Sequence, residues 1–96
     1  VLIAGEGLEP GEIEAALARG RAVADAVMLA RDLVNAPAAD VTPDVFAARA
    51  VEVAERTGLD IEVLGPDELR ALGAGAILAV GRGSDNPPRL IRMRYR

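Results

Sequence analysis

The side chains available for chemistry in this chain are carboxylates, hydroxyls and arginines, because its 96 residues include no lysine, histidine or cysteine. This composition excludes a Ser-His-Asp triad, a cysteine nucleophile, a Schiff-base lysine and a Walker A loop. It also excludes a zinc site built from cysteine and histidine. The chemistry that remains is cation binding or acid–base work by carboxylates, and anion binding by arginines and backbone N–H groups.

Carboxylates occur in short local groups that could bind Mg²⁺ or Mn²⁺, or act as an acid and a base. The groups are Glu12/Glu14, Asp40/Asp44 and Glu52/Glu55/Glu62. Each is more simply interpreted as charge at a helix N-terminus or as solvated surface charge. Asp25 follows Arg21 by four residues, a plain helical pair, and Asp32 lies near the expected end of a helix. We therefore assign no catalytic, cofactor-binding or metal-binding residue in this chain.

The glycine-rich segment of residues 81–88, GRGSDNPP, has the composition of a phosphate cradle. However, no helix is expected after it to offer an N-terminal dipole, and no lysine is present. A tight connection between two strands is the preferred interpretation. Gly73 and Gly75 precede a predicted strand instead of following one, so they do not form a dinucleotide fingerprint.

Arg92, Arg94 and Arg96 alternate with apolar residues and would share one face of a strand, where they could contact RNA or DNA. Residues 69–96 hold six arginines and one acid, net +5, whereas residues 1–68 hold 14 acids and five arginines, net −9. The acidic part would repel phosphate, and Tyr95 is the one aromatic residue among the arginines. We therefore expect no nucleic-acid partner, and interpret this face as lying in solvent or under other protein.

The elements that would carry these residues follow from apolar spacing, prolines and glycines. In chain order we predict helices over 12–35 and 43–57, a strand over 61–63, a helix over 67–72 and strands over 76–80 and 90–95. The segment 76–80, AILAV, is a continuous apolar run, which is typical of a strand buried on both faces. The order is that of an α/β fold, and residues 1–4 would form a further short strand.

Within the helices, apolar residues indicate which faces are covered. Two apolar rows along residues 12–35 predict a helix covered on more than one side. Thr42-Pro43-Asp44 is a helix start, with threonine as N-cap and proline at the first helical position. The predicted buried stripe of that second helix is Phe46, Ala50, Val53 and Ala54.

The composition also limits the class of protein. Aromatic residues are only 2% of the chain, so a core must be built from alanine, valine, leucine and isoleucine. No apolar run approaches about 20 residues, so no membrane span is expected. The lack of cysteine fits a reducing compartment, and we expect a cytoplasmic protein. The chain starts within the run VLIA and ends within RLIRMRYR, which favours a fragment of a longer polypeptide.

Three segments in order resemble the leucyl (cytosol) aminopeptidase family across residues 12–95. They are ARDLVNAP at 30–37 with Val41-Thr42-Pro43, LRALGAGAILAV at 69–80, and GRGSDNPPRLI at 81–91. The resemblance implies that residues 1–11 end an N-terminal domain and residues 12–37 form a connecting helix. Residues 38–96 would then be the opening helix-strand-helix-strand-strand units of a mixed-sheet catalytic domain.

The resemblance further implies a parent enzyme that removes N-terminal residues, often leucine, from peptides. Members of the family use two divalent metal ions (Zn²⁺, Mn²⁺ or Mg²⁺) and assemble as hexamers. The family's metal ligands and catalytic groups match no residue of this chain, which would be an inactive part of the scaffold. The alternative is a small non-enzymatic α/β module for interaction or oligomerisation; an anion or nucleic-acid binder using residues 89–96 is a third.

Overall fold

The computed structural model describes Gly7 and residues 9–96 of the chain. The chain divides into two compact units, one extending to Ala36 and the other spanning Pro37–Arg96. The strand predicted for residues 1–4 lies outside the described residues. None of the helices in the described part combines the length and the apolar character needed to cross a bilayer.

The first unit contains helix α1, Pro10–Asn35, which begins two residues before the predicted start because proline is tolerated at the first helical position. With 26 residues it is roughly 39 Å long. The predicted end is confirmed, and the N–H of Ala36 donates to the Asp32 carbonyl over 3.0 Å. No residue of α1 is buried in the described chain, so the cover predicted on more than one side of this helix stays a prediction.

Helix α2, Pro43–Thr57, opens the second unit with the predicted signals. Thr42 Oγ1 accepts a hydrogen bond from the Val45 N–H over 3.4 Å, and Gly58 follows the helix in the left-handed conformation. The predicted buried stripe is corrected in part. Ala47 and Ala54 are buried, whereas Phe46 is 46% exposed. Residues 47 and 54 are seven apart and lie on one face, and Phe46 lies about 100° round the helix from Ala47.

A two-stranded antiparallel sheet pairs β1, Asp60–Leu64, with β2, Leu90–Arg94. Ile61 pairs with Met93 and Val63 with Ile91, so these four side chains share one face, and α2 contacts both strands. The opposite face carries charged residues of both strands. The strands that were predicted at 61–63 and 90–95 are therefore confirmed, each within two residues.

Two short helices separate the strands: α3, Pro66–Ala71, and α4, Gly75–Gly81. The strand predicted at 76–80 is wrong, because α4 occupies these residues. In a short run without polar residues, the spacing of apolar and polar residues cannot distinguish a strand from a helix. The segment GAILAVG also holds two alanines, which favour helix. The order is thus helix, helix, strand, helix, helix, strand, and the mixed α/β class stands.

The core of the second unit is small and lies between α2, α3 and the sheet. Leu69 of α3 is completely buried, and Ala47 and Ala54 of α2 are the other buried hydrophobic residues of the described chain. Leu69 N–H donates to the Gly65 carbonyl at 2.9 Å, which fixes the start of α3 beside the end of β1. Larger apolar side chains stay exposed, including Leu72, Val80 and Phe46.

Candidate functional site

The predicted carboxylate groups do not converge in the structure. Among Gly7 and residues 9–96, no cluster of three or more His, Cys, Asp or Glu side chains could hold a metal ion. Several of the carboxylates instead face arginines. Glu52 pairs with Arg49 over 2.8 Å on the surface of α2, and Glu62 of β1 pairs with Arg92 of β2.

The most connected group of charged residues is centred on Arg89, which directly precedes β2. Its Nε donates to Oδ1 of Asp44, a residue 45 positions earlier in the first turn of α2. The Arg89 side chain is only 29% exposed, against 54% for Asp44. This ion pair connects the beginning of β2 to the N-terminus of α2.

Gly65 allows the guanidinium to lie against the beginning of α3. A Cβ atom at residue 65 would lie 2.5 Å from Nη1 of Arg89 and 3.2 Å from Oε2 of Glu68. The Gly65 N–H donates to the same Glu68 oxygen over 3.0 Å. Any larger residue at this position would therefore displace Arg89 or break the Glu68 cap.

Electrostatics keep Arg89 charged. The hydrogen bond from Arg89 to Asp44 is the main cause that raises its pKa; partial burial lowers it, and the charges of Asp44 and Glu68 raise it further. The cation already has a carboxylate partner, and this pair connects the beginning of β2 to α2. We name this set of Asp44, Gly65, Glu68 and Arg89 the Arg89 cluster.

The sequence interpretation missed the Arg89 cluster. Asp44 was interpreted as helix N-terminal charge, which is correct as far as it goes, and Arg89 was considered only as part of a basic segment. No local pattern connects residues 45 positions apart. The one signal in the sequence was that Arg89 stands between two prolines and a predicted strand. This signal is weak.

The arginine face of β2 is exposed and paired with acids. Glu62 lies opposite Arg92 in the register, and Arg96 Nε lies 2.6 Å from Oδ2 of Asp60. A shallow depression of about 390 Å³ on this face is lined by both signs of charge, with Asp60 and Glu62 beside the arginines. Because the acids of β1 lie beside the arginines of β2, this face does not present the continuous positive surface that phosphate binding requires.

The glycine-rich segment after α4 connects a helix to a strand, which corrects the predicted strand-to-strand connection. Ser84 Oγ accepts a hydrogen bond from the Asn86 N–H over 3.1 Å, and the Ser84 N–H donates to the Gly81 carbonyl over 3.2 Å. The Ser84 side chain therefore stabilises the turn in which it lies. The segment is a turn that joins α4 to β2, and the Ser84 hydroxyl already has a hydrogen-bond partner.

Beside this segment lies an open groove of about 570 Å³. Its lining is mostly apolar and comes from α4, the following segment and the beginning of α2, namely Pro43, Ala76, Ile77, Val80, Gly81, Ser84, Asn86, Pro88 and Arg89. Val80 is 87% exposed there. We name this surface the α4 groove.

With this geometry established, comparison with known proteins gives the family. The model of the cytosol aminopeptidase family, catalytic domain, matches residues 28–96. The chain belongs to the cytosol aminopeptidase family.

Two similar relatives are each described as a probable cytosol aminopeptidase. The Nocardia farcinica protein is 51% identical over 82 residues, covering 85% of this chain and 16% of the relative. The Roseiflexus castenholzii protein is 56% identical over 79 residues, which cover 82% of this chain and 16% of the relative. The chain thus spans about a sixth of the length of these relatives. These matches favour an aminopeptidase fragment over a small interaction module.

Among solved structures, the bottromycin maturation enzyme BotP is similar, with a TM-score of 0.80 and 45% identity. The match covers 93% of this chain and 19% of BotP. It supports the mixed α/β arrangement of this chain.

The family is metal-dependent, and the described residues do not fit such a metal site. The carboxylates nearest the sheet are occupied by arginines: Asp44 by Arg89, Glu62 by Arg92 and Asp60 by Arg96. No step of a metal-assisted reaction is therefore assigned to these side chains.

Proposed function

We propose that these 96 residues are a scaffold portion of a metal-dependent aminopeptidase that removes N-terminal amino acids from peptides. The observation that carries the proposal is the match of residues 28–96 to the catalytic domain of the cytosol aminopeptidase family. The identity of 51–56% to relatives over more than four-fifths of the chain supports it.

The proposal extends to properties of the whole enzyme. Two divalent ions (Zn²⁺, Mn²⁺ or Mg²⁺) would be held by residues elsewhere in the enzyme and would supply activation of water and polarisation of the scissile carbonyl. We further propose that the whole enzyme assembles as a hexamer, acts on peptides and is located in the cytoplasm. The relatives' description as cytosol aminopeptidases supports the location.

Within the proposed enzyme, residues 1–11 are the last part of an N-terminal domain. Residues 12–37 form the helix that connects this domain to the catalytic domain, and residues 38–96 are the first part of the catalytic domain. Two observations support this division. The 26-residue helix α1 ends at Asn35, and the boundary between the two compact units falls between Ala36 and Pro37. The family match already starts at residue 28, inside α1, so the end of the helix belongs with the catalytic sequence.

The role we propose for residues 38–96 is to position neighbouring parts of the enzyme. The Arg89 cluster joins the N-termini of α2 and α3 to the beginning of β2. Such contacts fix the position of β2 relative to α2 and α3. A scaffold of this kind affects catalysis through placement of other groups, without contact to substrate.

The proposed function is tested with the protein encoded by the whole reading frame. The purified product is assayed for hydrolysis of leucyl-p-nitroanilide with Mn²⁺, Zn²⁺ or Mg²⁺, with and without EDTA. We expect metal-dependent release of p-nitroaniline that EDTA abolishes. A full-length product that is folded and binds metal, but hydrolyses no aminoacyl amide, would contradict the proposal.

A further inference from the structure

Glycine at residue 65 is not required by the backbone. Gly65 is the N-cap of α3 with φ −93° and ψ −173°, an extended conformation that any residue adopts. Gly58 and Gly73 differ, since their φ angles are 71° and 68°. Serine is moreover preferred to glycine at an N-cap, because its hydroxyl accepts a hydrogen bond from the first turn of the helix. What restricts residue 65 is instead the space around it.

The guanidinium of Arg89 occupies the space beside Gly65, which is buried. A Cβ atom at residue 65 would lie 2.5 Å from Nη1 and 3.8 Å from Cζ of Arg89. Nη1 is the end of a flexible side chain and can move away, but this movement disturbs the hydrogen bond from Arg89 Nε to Asp44. A side chain at residue 65 therefore competes with the Arg89–Asp44 pair.

The same guanidinium contacts elements that are distant in the sequence. Arg89 Nε donates to Asp44 in the first turn of α2, Nη1 lies against the start of α3, and the Arg89 backbone leads directly into β2. Arginine suits this position because its planar guanidinium presents donors in several directions. Apolar packing that could replace these contacts is limited, since only Ala47, Ala54 and Leu69 are buried hydrophobic residues in the described part.

We propose that the Arg89 cluster is a latch, in which one guanidinium holds the starts of α2, α3 and β2 together and glycine at residue 65 leaves the space that it needs. Two consequences distinguish a latch from independent contacts. Release of Arg89 loosens all three elements together, and residue 65 accepts a side chain once Nη1 is removed. The latch lies within the unit Pro37–Arg96 and does not depend on the proposed enzymatic activity.

A cycle of substitutions in the protein encoded by the whole reading frame tests this coupling. Gly65→Ser is made in the wild-type protein and in Arg89→Lys, whose ammonium can still pair with Asp44 but which lacks Nη1. Gly83→Ser is the matched control, because a Cβ atom at residue 83 would meet no neighbouring atom within 4 Å. Local opening is measured as the hydrogen–deuterium exchange rates of the amides in α2, α3 and β2 under native conditions.

In the wild-type background we expect Gly65→Ser to raise the exchange rates of all three elements by at least about threefold, as for residues in direct contact. In Arg89→Lys the same change should alter these rates by less than about twofold, since the close contact with Nη1 is gone. The approach of a Cβ atom to Glu68 Oε2, 3.2 Å, is common to both backgrounds and cancels in the comparison. Gly83→Ser should have little effect in either background.

Unchanged exchange in the wild-type background, or acceleration of equal size in both backgrounds, would overturn the proposal, because Gly65→Ser would then act independently of Arg89. Acceleration confined to α3 would also overturn it, since the three elements would not be coupled. If Gly65→Ser prevents folding of the wild-type protein, recovery of folded protein in Arg89→Lys supports the latch, and failure to fold in both backgrounds contradicts it. Exchange is measured without substrate, so a lack of aminopeptidase activity would contradict the proposed function and not the latch.

Discussion

At the residue scale, the most informative side chain is Arg89, whose guanidinium lies between carboxylates at the N-termini of two helices. The pKa of Arg89 is raised, chiefly by its hydrogen bond to Asp44. A cation with a raised pKa contributes stability that is complete at any pH below its ordinary pKa and is lost only above that range. Arg89 therefore stays charged at neutral and mildly alkaline pH.

Replacing this cation should weaken the second unit. We expect Arg89→Gln to lower the melting temperature, because it leaves Asp44 and Glu68 without their shared cation. The control is Arg82→Gln, a change at an exposed arginine outside the cluster that should be nearly neutral. The difference between wild type and Arg89→Gln should be constant from neutral to mildly alkaline pH, because the pKa of Arg89 is raised and the guanidinium stays charged over that range. A difference that instead disappears on going from pH 7 to pH 9 would contradict this account.

A second prediction at this scale concerns close packing after α4. A Cβ atom at Gly81 would lie 2.9 Å from Cγ of Pro88, a ring that cannot rotate away. We expect Gly81→Ala to destabilise the protein encoded by the whole reading frame by about 1–3 kcal/mol in urea unfolding. A Cβ atom at Gly83 would meet no neighbouring atom within 4 Å, so Gly83→Ala should cost little. Equal effects of the two substitutions would show that the Pro88 contact is unimportant.

The contacts of the Arg89 cluster could not be predicted from the sequence. Charge at the N-terminus of α2 was predicted correctly from Asp44, but its partner is 45 residues away. Pairing of that kind depends on how α2 and β2 pack together. Glu62 was likewise interpreted as solvated charge, whereas the strand register brings it opposite Arg92.

At the scale of elements, the start of α2 was predictable because its signals are local. Thr42, Pro43 and Asp44 act within one turn. We expect Thr42→Ala to lower the free energy of unfolding by about 0.5–2 kcal/mol, since the Val45 N–H loses its acceptor. Thr42→Ser keeps the hydroxyl and should retain most of the stability. If serine and alanine are equally destabilising, the cap is not the cause.

Helix α4 was not predictable for the opposite reason. All its residues are apolar, so hydrophobic periodicity carries no phase, and tertiary packing decides between helix and strand. The sequence did indicate burial on more than one side. In the described chain, however, no residue of α4 is buried, and Val80 is 87% exposed.

The β1–β2 sheet gives a prediction about polyanions. Acids of β1 pair with arginines of β2 on one face, so its local charge is mixed. We expect the chain to pass through a heparin column at low salt without retention. Salt-dependent retention that is lost in the double variant Arg92→Glu, Arg94→Glu would contradict this and support an anion-binding surface.

At the scale of the whole molecule, the described chain has little core for its apolar content. Hydrophobic residues are 51% of the sequence, yet only Ala47, Ala54 and Leu69 are buried hydrophobic residues in the described part. A domain of this size is marginal even when well packed. We expect the isolated chain to melt over a broad temperature range and to bind a hydrophobic dye. Sharp, cooperative melting of a monomer would contradict this expectation.

The central claim is that these residues are framework and that peptide cleavage and metal binding depend on other parts of the enzyme. The most direct test is equilibrium dialysis of the purified 96-residue chain against Mn²⁺ and Zn²⁺, followed by assay with leucyl-p-nitroanilide. We predict neither stoichiometric binding of these ions nor release of p-nitroaniline. Two ions bound per chain, with turnover that EDTA abolishes, would contradict the account.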